Sequence, residues 1–82
     1  MSSARVLHRR EEIIVSLPGL IADVKHQLRQ GAKLILDTDN FYVEGPLRAN
    51  IPYALRETII AAIENDCVQV ERELVTEWTW KR

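Results

Sequence analysis

The residue types that most often carry chemistry are few in this chain of 82 residues, and they stand far apart. Cys67 is the one cysteine, and the two histidines, His8 and His26, share no local ligand spacing with it. A zinc site needs nitrogen and sulfur ligands at clustered spacings, so we predict no metal site. The three glycines each fit a local backbone need and do not build a phosphate-binding loop.

A catalytic site would require a nucleophile beside a base, or paired carboxylates in an apolar setting. Cys67 has no histidine or other base nearby in the sequence, so we interpret it as a small apolar side chain at the start of a helix. The acidic residues fall on helix faces that we expect to be solvated. We therefore predict that the chain is not an enzyme, with no catalytic residue, no cofactor-binding residue and no cofactor.

Charge is unevenly distributed behind a formal net charge of −1. Residues 1–10 hold three arginines and no acid, whereas residues 57–77 hold six acidic residues against one arginine. A nucleic-acid-binding module normally concentrates basic side chains on one face, and the acidic stretch would repel phosphate. A nucleic-acid partner is therefore not favoured, although the basic N-terminal arm leaves a DNA-binding accessory as a third hypothesis.

Size and composition predict one small domain. No apolar run approaches the roughly 20 residues that a membrane span needs, and the polar start lacks a secretory signal. One cysteine suits a reducing compartment, so we predict a cytoplasmic protein without a membrane partner. A domain of this size has a marginal core, and without disulfide or metal we expect a homodimer.

Local patterns predict an amphipathic helix followed by a β-hairpin. Apolar residues recur at helical spacing at Leu17, Leu20, Ile21, Val24 and Leu28. Ser16 is a plausible N-cap and Gly31 a C-terminal stop. Residues 33–44 then alternate around a polar turn, which predicts that Leu36 faces Phe41, Ile35 faces Tyr42 and Lys33 faces Glu44. Residues 12–15 are ambiguous between a strand and a helical lead-in.

A second helix is predicted from near Pro52. Asn65 and Asp66 interrupt its apolar stripe, which predicts a bend or restart and a third helix from about Cys67 to Trp78; one continuous helix is the alternative. The fold class is thus α+β, a small αββα(α) domain with a two-stranded antiparallel β-hairpin and then one bent or two consecutive helices. Residues 1–16 form an N-terminal extension, partly disordered or a short element; the domain covers 17–78 and a tail covers 79–82.

This order of elements resembles the TubC-type N-terminal docking domains of hybrid peptide/polyketide megasynthases, including nonribosomal peptide synthetases. The matching pieces are Leu17-Pro18 to Leu28, Gly31, Leu34-Ile35-Leu36, Phe41-Tyr42-Val43, Gly45-Pro46 and the helix from Pro52 to Ile63. The resemblance implies a compact αββαα homodimer whose exposed hairpin captures a short C-terminal segment of an upstream subunit. About sixteen extra N-terminal residues, the lack of a basic residue at Asn65-Asp66 and the stop at Arg82 depart from the family pattern. An excised docking domain and a stand-alone adaptor fit equally well.

Two candidate surfaces follow. The hairpin would present free strand edges and outward side chains to a partner peptide by strand addition; the predicted partner-binding residues are Lys33, Ile35, Asp37, Asp39, Tyr42 and Glu44. The alternative is that Ile35 and Tyr42 pack beneath the N-terminal extension or the third helix. The helical stripe would form the dimer, and the predicted interface residues are Ile63, Cys67, Val70, Leu74 and Trp78.

The leading functional hypothesis is a homodimeric docking or adaptor module that captures a linear peptide segment of another protein chain. The acidic hairpin would favour a short basic or mixed-charge segment. The alternative is a small acidic inhibitor or host-takeover protein of a mobile element, covering a basic surface of a larger target. The acidic stretch 57–77 motivates this second hypothesis.

Overall fold

The first helix and its C-terminal stop are as the sequence predicts. The structure, a computed structural model, describes residues 17–82, and helix α1 covers 17–29 of them. Gly31 adopts a left-handed φ of 97°, and the N–H groups of Gly31 and Ala32 donate to the carbonyls of Leu28 and Gln27, each at 3.1 Å. These two bonds form a Schellman motif, which satisfies carbonyls that the helix end would leave unpaired. The predicted cap at Ser16 lies outside the described residues.

The β-hairpin after α1 has the predicted register. Strand β1 covers Lys33–Asp37 and β2 covers Asn40–Glu44, with Leu36 opposite Phe41 and Ile35 opposite Tyr42. Thr38 opens the two-residue turn at a φ of 49°, a conformation that β-branched residues rarely adopt. Alternating apolar residues on one face are enough to fix this local pairing.

The second half of the chain differs from the prediction. After a two-residue strand β3 (Ala49–Asn50) and a short 3₁₀ turn (Tyr53–Leu55), helix α2 covers only Arg56–Ile63. The predicted third helix is wrong, because its residues form a second hairpin, with β4 at Cys67–Arg72 and β5 at Val75–Trp80. β5 runs through Trp80, so residues 79 and 80 belong to the sheet and not to a tail.

The five strands form one antiparallel sheet in the order β3-β2-β1-β5-β4. β1 is therefore the central strand, and β5 pairs with it through Leu34 opposite Trp78 and Leu36 opposite Thr76. This pairing removes the free edge that the sequence predicted for β1. The α+β class is confirmed, and the order helix, hairpin, helix is correct for the first half; a two-stranded sheet and an αββαα layout are wrong.

Both helices pack on the same face of the sheet, here called the inner face. Its buried side chains come from the helices, the strands and the connections: Val24, Leu28, Ala32, Leu34, Phe41, Val43, Ile51, Ile59, Ile63, Cys67 and Trp78. The opposite side, here called the outer face, carries the alternate strand residues, including Ile35, Tyr42 and Glu77. The two-layer arrangement leaves the outer face without a covering helix among the described elements.

Neither helix in the described part of the chain has the length and apolar character needed to cross a membrane.

Candidate functional site

The residues predicted to bind a partner lie on the outer face, with Asp39 in the turn, but they do not form an exposed apolar patch. Ile35 is only 6% exposed, flanked by Tyr42 on one neighbouring strand and by Glu77 on the other. Ile35 stands outside the main core cluster, on the opposite side of the sheet from Leu34. The expectation that Ile35 is an exposed contact residue is wrong, because β5 covers the edge on which that expectation rested.

The remaining outer-face side chains contact one another. The guanidinium of Arg48 stacks over the Tyr42 ring at 3.8 Å. The carboxylate of Glu77 is buried and lies 3.2 Å from Arg72 Nη2 and 3.9 Å from Lys33 Nζ. The two ion pairs of Glu77 link β5 to its neighbours β4 and β1 across the outer face.

The residues predicted to form a dimer interface do not share one surface. Ile63, Cys67 and Trp78 are buried within the single chain, Val70 is half-buried on the outer face, and Leu74 is exposed in the β4–β5 turn. Because these residues lie on a helix and a hairpin, the helical stripe from which the interface was predicted does not exist. The homodimer itself stays a prediction.

Cys67 packs in the core at the start of β4 and not at the start of a helix. Burial, followed by the nearby Asp66 carboxylate, raises the pKa of its thiol above the ordinary value of 9.0, and Lys25 and Lys81 oppose this shift. A raised pKa lowers the thiolate fraction at neutral pH, and the thiolate is the nucleophile. The position of Cys67 therefore supports packing as its role.

The contribution of Cys67 to the free energy of unfolding should accordingly change with pH only in alkaline solution. Below the ordinary pKa of 9.0 both states keep the proton, and above it the unfolded chain loses its proton first. The free energy of unfolding should thus decline as the pH rises through the folded-state pKa. Urea unfolding at pH 7 to 10 checks this, with Cys67→Ala as the reference whose decline should be shallower; parallel curves would contradict it.

A groove of about 390 Å³ opens on the inner face, between α2 and the β4–β5 hairpin. We call it the acidic groove, because three carboxylates of the described residues line it, from Glu57 on α2, Glu64 just after α2 and Glu71 on β4. The one base among its described lining residues is Arg56, which contacts Glu57 at 3.7 Å and stacks over Tyr53. The other lining residues are Leu36, Ile60, Ala61, Gln69, Thr76 and Trp78. The groove thus combines an apolar floor with an acidic rim.

Strand β4 borders this groove and forms one end of the sheet. Arg72 and Val75 flank the two-residue β4–β5 turn, and residues in that position exchange both backbone hydrogen bonds. At the other end of the hairpin, the N–H of Lys81 donates to the carbonyl of Asp66 at 2.9 Å in the same register. Bonded pairs alternate along an antiparallel ladder, so the even-numbered residues of β4 direct their backbone groups at β5.

The odd-numbered residues of β4 direct their N–H and C=O groups the other way. Cys67, Gln69 and Glu71 therefore present them along an edge that no described strand occupies. Proteins often protect such an edge with proline or a bulge, whereas β4 contains no proline and pairs with β5 residue for residue. Val68 on this strand is 46% exposed. The β4 edge is thus long enough and regular enough to accept another strand.

No protein-family model matches the chain, and no curated protein and no solved structure shows significant similarity to it. The resemblance to docking domains is left as a prediction.

The sequence pointed to the acidic stretch but not to its geometry. Glu57, Glu64 and Glu71 were expected on solvated helix faces, and the structure brings them around one groove because the chain reverses after α2. The enrichment of β-branched and aromatic residues between Val68 and Trp80 was the available signal for strands in this segment. Within the described residues, no group of three or more His, Cys, Asp or Glu side chains could hold a metal ion.

Proposed function

We propose that this protein is an interaction module that captures a linear, basic segment of another protein by adding it as a strand to β4. The β4 edge, which no described strand occupies, lies beside the carboxylates of the acidic groove, and this observation supports the function most directly. Strand addition obtains affinity from backbone hydrogen bonds and selectivity from alternate side chains. The mode is the one predicted from the sequence, at a different strand.

The backbone and the side chains of the added strand would have complementary roles. Backbone groups of the segment would pair with Cys67, Gln69 and Glu71 of β4. Every second side chain would then fall on the inner face, beside the groove, where lysine or arginine heads meet Glu64 and Glu71. Their aliphatic stems would lie along the apolar floor, as the stems of long basic side chains commonly do. A rim with three carboxylates also steers a positively charged partner toward the site.

The docking-domain resemblance implies the same class of partner, a short segment of another chain, and we retain it as a proposal together with a cytoplasmic location. Homodimerisation is also retained, and the β4 edge offers a route to it by strand pairing between two copies. A second copy and a partner peptide would then compete for one edge. The oligomeric state of each variant should therefore be measured by light scattering alongside its peptide binding.

Gln69→Pro is expected to abolish capture while leaving the fold intact. The N–H that proline removes points away from β5, and proline is tolerated on edge strands in that orientation. The probe is a fluorescein-labelled octapeptide that alternates lysine and valine, followed by fluorescence anisotropy. We expect saturable binding by the native chain and loss of about tenfold or more in Gln69→Pro, since hydrogen bonds to the edge are lost.

Two comparisons make this test specific. Glu64→Gln with Glu71→Gln should weaken binding, whereas Glu44→Gln, which removes one charge from the originally predicted hairpin site, should not. A peptide that alternates glutamate and valine should fail to bind the native chain. Equal binding of the two peptides, or unchanged binding by Gln69→Pro, would contradict capture at β4.

The alternative function, an acidic inhibitor that covers a basic surface of a larger target, is favoured by the exposure of Glu57 on α2 and of Glu64 at its C-terminal end. Such an inhibitor would use side-chain charge and not the β4 backbone. Its binding to a folded basic target would therefore fall in Glu57→Gln with Glu64→Gln and persist in Gln69→Pro. The two functions thus respond in opposite ways to one proline.

A further inference from the structure

A second cavity, of about 380 Å³, lies at the end of the pairing between β1 and β5. That pairing extends only to Leu34 opposite Trp78, and beyond it the two strands separate beneath the C-terminal end of α1. The side chains that give the cavity its character are those of Leu28, Arg29, Lys33, Thr79, Trp80 and Arg82. We call this cavity the basic pocket.

The basic pocket has the opposite charge to the acidic groove. Among residues 17–82, three cationic side chains line it, from Arg29, Lys33 and Arg82, and no carboxylate side chain of this range does. Lys33 has a distant ion pair with Glu77 at 3.9 Å, and the ion pairs found among residues 17–82 include neither Arg29 nor Arg82. Like charges held around one cavity repel each other, and an anion in the cavity would relieve that repulsion.

The backbone of β5 contributes a hydrogen-bond donor to the basic pocket. Alternation along β5 directs the N–H of residues 76, 78 and 80 toward β1. Since the ladder stops at Trp78, the N–H of Trp80 faces the gap that forms the pocket. Gly31 lines the pocket with open space where a side chain would stand. Oriented backbone donors together with guanidinium groups are the usual means of binding phosphate oxygens.

The aromatic wall of the pocket is Trp80. The guanidinium of Arg29 stacks over its ring at 4.7 Å from the centroid. Within the described part of the chain, two other arginines stack on aromatic rings, Arg48 on Tyr42 and Arg56 on Tyr53, but neither pair lines the basic pocket. The Arg29–Trp80 pair is thus placed to contact both the charged and the planar part of one ligand.

We infer that the basic pocket binds a small phosphate monoester with a planar ring, at a site separate from the peptide-capture site. A phosphate monoester carries nearly two negative charges at neutral pH, which matches three cations with moderate screening by Glu77. The volume lies within the range of small-molecule sites. Binding at this site does not depend on the β4 edge.

The test uses phenyl phosphate as the probe and the indole N–H resonances in ¹H–¹⁵N NMR spectra as the readout. The chain contains two tryptophans, and Trp80→Phe assigns the pair. Phenyl phosphate should shift the Trp80 resonance in a saturable way and leave the buried Trp78 nearly unchanged. Inorganic phosphate should bind more weakly, and phenol should not bind.

Arg29→Gln should weaken phenyl phosphate binding by about tenfold, because it removes charge-assisted hydrogen bonds. Arg48→Gln is the matched control: it removes an arginine that also stacks on an aromatic ring, outside the pocket, and should leave the dissociation constant unchanged. Equal weakening by both variants, or a shift that does not saturate, would overturn the site. Gln69→Pro should bind phenyl phosphate normally, so failure of peptide capture and failure of this site are distinguishable.

Discussion

Replacing Trp78 with alanine is expected to lower the free energy of unfolding by about 3–5 kcal/mol, the usual cost of truncating a buried aromatic side chain. Trp78 is 3% exposed on the inner face of β5. Its ring meets Phe41 edge to face, with centroids 6.4 Å apart and planes at 87°. It also stands opposite Leu34 of the central strand. Urea-induced unfolding measures the loss. Because small domains are only marginally stable, we expect the variant to be close to unfolded in the absence of urea.

Leu74→Ala supplies the control, because both residues belonged to the predicted dimer stripe. Leu74 is 78% exposed in the β4–β5 turn, and substitutions at such positions usually change stability by no more than about 0.5 kcal/mol. A helix carrying both residues on one buried stripe would make the two losses comparable. Comparable losses would therefore argue against the hairpin.

Ile35→Ser should be the second most damaging of these substitutions, at about 2–4 kcal/mol. It removes a buried aliphatic side chain, and it places a hydroxyl at a position that is 6% exposed between Tyr42 and Glu77. The interpretation of Ile35 as an exposed partner-binding residue predicts the reverse, a nearly harmless substitution on an exposed hairpin face. Thermal unfolding monitored by circular dichroism distinguishes the two by several degrees.

Val68→Ser is the matched comparison for Ile35→Ser. It also replaces a β-branched residue on the outer face by serine, but it does so on the edge strand β4, where Val68 is 46% exposed. We expect a change of about 0.5 kcal/mol or less. If Val68→Ser proved as costly as Ile35→Ser, the burial of Ile35 would not be the cause of its effect.

The part of the fold that the sequence predicts correctly is the part that depends on neighbours along the chain. Helix α1 follows from its apolar spacing and from Gly31, and the β1–β2 register follows from alternation across a short turn. Each of these features is decided within a few residues. The pairing of Lys33 with Glu44, for example, requires only the alternation of side chains and the length of the turn.

The error over residues 67–80 arises where two patterns overlap. Cys67, Val70, Leu74 and Trp78 recur at steps near four, which resembles a helix, while the same segment is rich in the β-branched and aromatic residues that favour strands. The Glu73-Leu74 turn has no glycine or asparagine to mark it, although Glu73 adopts a φ of 51°. Strand propensity together with pairing to β1 outweighs the spacing.

The sequence predicts the chemical character of the candidate site but not its location. Acidic residues in the second half and strand addition as a mode were both accessible from the sequence. The location was not, because it depends on which strand stands at the edge, and β5 takes the position beside β1 only through a pairing between distant parts of the chain. Because β5 pairs with β1, the edge suited to strand addition lies at β4 and not at the first hairpin.

The central place of β1 also has a consequence for biosynthesis. β1 precedes β2, β3 and α2 along the chain, whereas its second neighbour, β5, follows all of them. A nascent chain on the ribosome can form the first hairpin early, but it must wait for β5 before the middle of the sheet is complete. During that interval β1 exposes an unpaired edge, the kind of surface through which incomplete chains aggregate. Pauses in translation between α2 and β5 would therefore lengthen the period in which this edge is exposed.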